Sequence, residues 1–196
     1  MAAEAATDAI DVALAVARAI ESVGGSYFVG GSVASSLQGE PRATNDIDIV
    51  IDLPLGQLGG FVNALGSDFE VDLDMLRDAV LHGRTCNIFF LPSLMKVDLF
   101  AVGQSAFDEM EFARRKPVAV RATGETLVVK TPEDTVLRKL LWFRAGGEVS
   151  DRQWRDIIEV LRVSGDGMDE SYLTSWATRL GLADLLTRAR SEAVTA

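Results

Sequence analysis

The chain has 196 residues, of which 48% are hydrophobic and 24% charged, as is usual for a globular protein with a sizeable core. Its formal net charge of −10 argues against broad, sequence-independent binding of nucleic acid, because such binding needs Lys and Arg facing phosphates. A single cysteine excludes an intramolecular disulfide framework, and no apolar run reaches the roughly 18 residues of a membrane span. Since the N-terminus also lacks a signal-peptide pattern, we expect a cytoplasmic protein without membrane association.

Hydrophobic periodicity predicts alternating helices and short strands in the first 130 residues. In chain order the predicted elements are a helix at 8–22, a strand at 26–29, a helix at 33–38, a strand at 46–52, helices at 54–65 and 74–81, and strands at 84–91, 96–102, 118–120 and 126–130.

From Thr131 onward the pattern changes to helix. Thr131-Pro132 places a capping side chain before a proline at the first helical position, and Ser150 to Gln153 fits a capping box. Two more helices are predicted at 169–180 and 182–190. We therefore predict an α+β fold (α/β in its first half), with a domain at 1–130 and a C-terminal helical bundle at 131–196.

Gly30-Gly31-Ser32 lies between a predicted strand and a predicted helix. Glycines let the backbone approach a ligand closely, and the free amides at a helix start bind phosphate. Because Gly-Gly turns are common, this motif alone is more often an ordinary turn.

Asp46-Ile47-Asp48 begins the strongest predicted strand. Side chains two positions apart on a strand point to the same side, so Ile47 and Ile49 should face the core while the two carboxylates project together. Like charges this close repel unless a cation or a proton lies between them, and Mg²⁺ is held by one or two carboxylates plus phosphates and waters. An exposed acidic strand face, to which Asp52 would belong, is the alternative.

A third carboxylate, Asp98, lies between Val97, Leu99 and Phe100 on a predicted inner strand. A carboxylate in such surroundings usually has a partner. If this strand lies beside the one that carries Asp46, the three carboxylates converge.

Gly-Gly-Ser, a gap of thirteen residues, Asp-Ile-Asp and a later Asp between apolar residues resemble the pattern of the nucleotidyltransferase (polymerase-beta-like) superfamily. Residues 39–48, Gly-Glu-Pro-Arg-Ala-Thr-Asn-Asp-Ile-Asp, are similar to the corresponding segment of AbiEii/MenT-type nucleotidyltransferases, which are toxins of bacterial toxin–antitoxin pairs. Residues 131–134, 139–141 and 151–157 resemble the helical motifs of that group. Gln38 is a departure, since many relatives have histidine there.

The resemblance implies a mixed sheet flanked by helices and a role for each matching residue. Asp46, Asp48 and Asp98 would bind Mg²⁺ or Mn²⁺, and Asp98 would also help to deprotonate the attacking hydroxyl. The residues that would hold the nucleoside triphosphate are Gly30, Gly31, Ser32, Arg42, Thr44 and Lys139. Asp156 matches a further motif of the group, whose role is open.

Lys139 and Asp156 also have ordinary interpretations. On the predicted helix the apolar stripe is Leu137, Leu140 and Leu141, so Lys139 should point away from it and could lay its stem along Trp142 and Phe143. Asp156 could be half-buried, or it could form an exposed i,i+4 pair with Arg152, worth a few tenths of a kcal/mol.

The sequence therefore predicts an enzyme that transfers a nucleoside monophosphate from an NTP to an acceptor. The resemblance favours the 3′ end of tRNA, a toxin function and a cognate antitoxin partner. The alternatives are a small-molecule nucleotidyltransferase, such as one that modifies aminoglycosides, and a non-catalytic nucleotide-binding module. A contiguous basic groove beside the carboxylates would favour RNA, whereas an acidic cleft would favour a cationic small molecule. The candidate basic residues are Arg42, Arg84, the run Arg114-Arg115-Lys116, Arg121 and Lys130. With one histidine and one cysteine, no site made of His and Cys ligands alone can hold a metal, and we expect His82 and Cys86 to be structural.

Overall fold

The computed structural model of the chain describes residues 7–41 and 43–195. The chain divides into two compact units, Met1–Val33 with Ala43–Val129 and Ala34–Arg42 with Lys130–Ala196. We call the first the sheet unit and the second the helical unit. The second half of one helix, α2 (Gly31–Gln38), belongs to the helical unit, although its first turn belongs to the sheet unit.

The sheet unit contains a mixed sheet, whose seven described strands are ordered β3-β4-β5-β2-β1-β7-β6. Its strands are β1 (Ser26–Val29), β2 (Asp46–Asp52), β3 (Phe69–Glu70), β4 (Thr85–Phe90), β5 (Met95–Ala101), β6 (Lys116–Ala119) and β7 (Thr126–Val129). The central pair β2 and β5 is parallel, whereas β1–β2 and β4–β5 are antiparallel. The fold is thus α+β with a mixed sheet flanked by helices, which confirms the predicted fold class.

One face of this sheet is apolar and fully buried. Ile47, Ile49 and Ile51 of β2 are at most 2% exposed, and Val97 and Leu99 of β5 continue the face. Helices of the same unit pack on this side of the sheet and on one another: α1 (Ala9–Ser22), α3 (Leu58–Leu65) and α4 (Leu73–His82). Since side chains alternate along a strand, this burial places the aspartates of β2 on the opposite face.

The opposite face is only partly covered, by α5 (Ala106–Arg114). The Phe112 ring of α5 packs on Phe28 of β1, with 5.8 Å between the ring centroids. Neither α5 nor the short strand β3 was predicted from the sequence, whereas the other helices and strands lie within a few residues of their predicted positions.

The helical unit is built from four mutually packed helices and the second half of α2: α6 (Pro132–Ala145), α7 (Asp151–Ser164), α8 (Glu170–Arg179) and α9 (Ala183–Thr195). Thr131 and Ser150 cap α6 and α7 as predicted. The Phe143 and Trp154 rings pack with centroids 4.9 Å apart, and Trp154 Nε1 donates to Glu192 at 2.7 Å. Gly39 follows α2 and packs closely against the backbone of α7. A Cβ at this position would lie only 3.2 Å from backbone atoms of Glu159 and Val160.

Within residues 7–41 and 43–195, no helix has the length and apolar character needed to cross a bilayer.

Candidate active site

Asp46 and Asp48 project from the open face of β2. The strand alternates exposed or half-buried aspartates with buried isoleucines, as the sequence predicts. Thr44 supports the start of the strand, since its hydroxyl donates to the carbonyl of Asp46 at 3.0 Å and accepts from the Asp46 amide at 3.4 Å. The first two carboxylates are therefore presented on the same face of one strand.

Asp98 lies on the neighbouring strand at the same level. Strands β2 and β5 run parallel with Asp46 opposite Lys96 and Asp48 opposite Asp98. The Asp98 side chain is 15% exposed, and its Oδ1 atom is buried without a hydrogen-bond partner. The sequence predicted that the three carboxylates converge if these two strands are neighbours, and the strands are neighbours.

Lys96 completes this group, and sequence reasoning missed it. Its Nζ donates to Asp98 Oδ2 at 2.8 Å and lies 3.7 Å from Asp46 Oδ1. The hydrogen bond to Asp98 is the main cause that raises the pKa of Lys96, although burial opposes it. Its position two residues before Asp98 was the available signal, because residues at i and i+2 of a strand share a face.

Asp48 is packed against the start of α2. The Gly30 amide donates to the Asp48 carbonyl at 2.8 Å. A Cβ on Gly31 would lie only 1.7 Å from Asp48 Oδ2, and Gly31 has a φ of +52°, so only glycine fits here without displacing the carboxylate. Ser32 follows as the second residue of α2. The predicted phosphate-binding turn and the predicted metal ligand are therefore in direct contact.

The donor chemistry of this face suits a divalent cation. Carboxylate oxygens are the ligands that Mg²⁺ prefers, and the unpartnered Oδ1 of Asp98 is an acceptor that a cation or its water could satisfy. Yet among the residues that the structure describes, no three Asp, Glu, His or Cys side chains are arranged to hold a metal ion. The ammonium of Lys96 is instead the cation nearest to Asp46 and Asp98.

Lys139 and Asp156 form a buried ion pair inside the helical unit. Lys139 Nζ donates to Asp156 Oδ2 at 2.8 Å, and the two side chains are 7% and 10% exposed. Leu137, Leu140 and Phe143 of α6 are buried as well as Lys139, so the helix is covered on more than its apolar stripe. Asp156 is buried as well.

Two of the candidate basic residues, Arg84 and Arg121, form ion pairs within the sheet unit. Arg84 donates to Asp78 at 3.1 Å, and Arg121 forms ion pairs with Asp8 and Asp11. The other candidates are placed as follows: the Arg115 guanidinium lies 3.9 Å from the Phe112 ring centroid, Arg114 ends α5, Lys116 is exposed on β6, Lys130 is buried, and Arg42 lies outside the described residues. Arg84, Arg115 and Arg121 are thus engaged with nearby side chains.

His82 and Cys86 lie away from the aspartate-bearing face. His82 ends α4 and its Nδ1 lies 2.9 Å from Asp78. Cys86 is buried on the apolar face of β4, where burial raises the pKa of its thiol. Both positions suit the structural roles expected from the sequence.

No family model and no curated protein matches this sequence. Solved structures do resemble it. An antigenic nucleotidyltransferase-like protein from Paracoccidioides brasiliensis aligns over 94% of both chains with a TM-score of 0.58 and 18% identity. The antibiotic-resistance factor ANT(2'')-Ia aligns over 93% of this chain and 98% of its own with a TM-score of 0.51 and 15% identity. In complex with adenylyl-2"-tobramycin it aligns over 87% and 98%, with a TM-score of 0.53 and 15% identity. At these identities the likeness establishes the fold, and the chain therefore has a nucleotidyltransferase-like fold.

Proposed function

We propose that this chain is a metal-dependent nucleotidyltransferase that uses an NTP as its donor substrate. The observation that carries the proposal is the pairing of Asp48 with Asp98 on adjacent parallel strands, with Gly31 at the start of α2 packed against Asp48. A carboxylate group on one side and a helix start on the other suit a triphosphate with its cation. The nucleotidyltransferase-like fold supports the same reading, although a fold alone does not determine function.

The reaction forms one bond and breaks one at the α-phosphorus. The acceptor hydroxyl oxygen attacks this atom, the bond to the bridging oxygen breaks, and pyrophosphate leaves. Bound Mg²⁺ or Mn²⁺ would neutralise the phosphates and stabilise the developing charge. Asp46, Asp48 and Asp98 would hold the metal, and Asp98 would accept the acceptor proton. Gly31 and Ser32 would orient the leaving phosphates through the start of α2.

For the acceptor, the charge distribution favours a cationic small molecule over RNA. The chain carries a net charge of −10, and Arg84 and Arg121 are paired with acids of their own unit. The aspartate-bearing face adds Asp52 to the three candidate ligands, whereas Lys96 is its basic member on β2 and β5. Such a face attracts ammonium groups and repels phosphodiesters. One structure with this fold contains adenylyl-2"-tobramycin, an adenylylated small molecule.

The 3′ end of tRNA, which the sequence resemblance favours, is the second candidate acceptor, because residues 39–48 resemble the corresponding segment of the toxin group. A toxin function and a cognate antitoxin rest on this resemblance alone. A third candidate, a nucleotide-binding module without catalysis, would bind NTP and metal but transfer no label.

One assay distinguishes these candidates. Purified protein is incubated with Mg²⁺, each of the four α-labelled NTPs, and either an aminoglycoside panel or total tRNA. Asp48→Asn and Asp98→Asn should abolish label transfer, whereas Asp52→Asn, on the same face of the same strand, should retain it. Label on the aminoglycosides supports the proposal as stated, and label on tRNA redirects it to the toxin function. Absence of label with both acceptors, despite metal-dependent NTP binding, would favour the non-catalytic module.

A further inference from the structure

The ammonium of Lys96 lies where the carboxylates of two candidate metal ligands meet. Nζ is 2.8 Å from Asp98 Oδ2 and 3.7 Å from Asp46 Oδ1. The strand register fixes this arrangement, because Lys96 lies opposite Asp46 and two residues before Asp98 on the same face. A different register would place its positive charge elsewhere, so the contact follows from the central pairing of the sheet.

A divalent ion bound to Asp98 Oδ2 would lie close to this ammonium. Mg²⁺ binds carboxylate oxygens at about 2.0–2.1 Å, which would bring it within a few ångströms of an ammonium hydrogen-bonded to the same atom. The two cations would repel each other strongly at that distance. An ion that uses Asp98 Oδ2 therefore binds more weakly while Nζ keeps its place, and more tightly once Nζ has moved away.

The Lys96 side chain has room to move away. It is 35% exposed, whereas the Asp98 side chain that it contacts is 15% exposed. A long, flexible lysine stem can carry its charge to solvent while the strand stays in place. The carboxylates, held by the backbone of two central strands, do not need to move.

We propose that Lys96 is an internal cation that competes with the divalent metal for Asp46 and Asp98, and thereby sets the metal affinity of the site. The inference rests on the proposed function, since it takes these aspartates as metal ligands. It adds a residue that lowers metal affinity and whose side chain moves away when a metal uses Asp98 Oδ2.

Mn²⁺ binding to the purified full chain, without nucleotide, tests this inference. Free aqueous Mn²⁺ gives an electron paramagnetic resonance signal that decreases on binding, so a titration yields the dissociation constant. We expect Lys96→Met, which keeps the stem but removes the charge, to bind Mn²⁺ at least tenfold more tightly than the unmodified chain. Lys96→Arg should stay within about threefold of it, because the competing charge remains. Lys116→Met, at an exposed position of β6, is the matched control and should leave the affinity unchanged.

Two results would overturn the inference, and they differ in what else they overturn. If the Lys96→Met protein and the unmodified chain bind Mn²⁺ equally tightly, and Asp98→Asn abolishes this binding, the metal site stands but Lys96 does not compete for it. If neither protein binds Mn²⁺, the metal site of the proposed function fails as well. Circular dichroism of Lys96→Met, and of Lys96→Gln as a second neutral variant, verifies that the compared proteins are folded.

Discussion

The buried Lys139–Asp156 pair gives the sharpest test of how the helical unit is stabilised. The two charges are 2.8 Å apart, with 7% and 10% of their side chains exposed. At an effective dielectric constant of about 20, their attraction is about 6 kcal/mol, which largely offsets the cost of taking both ions out of water. Removing one partner leaves the other charge buried without that compensation.

We therefore expect Asp156→Asn to lower the free energy of unfolding by about 3–5 kcal/mol. For a denaturant dependence of about 2 kcal/mol/M, this shifts the urea midpoint by roughly 2 M. By contrast, the double variant Lys139→Met/Asp156→Leu removes both charges and should recover most of the stability. Glu170→Gln, which breaks a much more exposed ion pair with Arg190, should cost no more than about 1 kcal/mol.

Tryptophan fluorescence is the appropriate probe, because all three tryptophans of the chain lie in the helical unit: Trp142, Trp154 and Trp176. A urea titration followed by fluorescence thus reports the unfolding of this unit. If Asp156→Asn unfolds within 1 kcal/mol of the unmodified chain, the buried pair does not stabilise the unit and this reasoning is refuted.

Three further predictions follow from the sheet unit. Gly31→Ala should abolish label transfer, because the added Cβ would displace the Asp48 carboxylate. Gly24→Ala is the control: Gly24 has a φ of +76° but open space around it, so this variant should keep its activity and lose only about 1–2 kcal/mol of unfolding free energy in a urea titration. Chelation with EDTA should abolish transfer and Mg²⁺ should restore it; transfer that persists in excess chelator would contradict the metal-dependent mechanism. Burial of Asp8 acts to raise the pKa of its carboxyl, but the Arg121 guanidinium and the amides at the start of α1 outweigh this and lower it overall. The ionised Asp8 carboxylate contributes to the free energy of unfolding above its unfolded-state pKa, and this contribution is lost as the pH falls through the lower folded-state pKa. The difference in free energy of unfolding between the unmodified chain and Asp8→Asn, measured in urea titrations, should therefore shrink below about pH 4.

The sequence predicted the aspartate-bearing strand well because its signal is local. Alternation in β2 separates Ile47 and Ile49 from Asp46 and Asp48, and a single strand is enough to show it. The partner strand was predicted as an element, but the register that aligns Asp48 with Asp98 links residues fifty positions apart. Nothing local specifies that register, so the position of Lys96 opposite Asp46 could not be derived.

Two other differences have physical reasons. Helix α5 was missed because few of its residues are apolar and buried, although Ser105 and Asp108 form a capping box that marks its start. The burial of Lys139 was not predicted, because the helical stripe rule assumes that a helix has one buried face. Helix α6 is packed against both α7 and α8, and it buries the charged residues Glu133 and Asp134 as well as Lys139.

Burial of Lys139 raises the question of whether it serves folding or the triphosphate, as the resemblance implies. A single substitution cannot separate these roles, because an unstable protein is also an inactive one. The Lys139→Met/Asp156→Leu variant can, since it removes the lysine without leaving a buried charge unpaired. If this variant unfolds like the unmodified chain but its KM for NTP rises at least tenfold, Lys139 acts on the nucleotide in addition to stabilising the unit. If both stability and KM are retained, the pair is structural, and the cations that neutralise the triphosphate must be sought elsewhere.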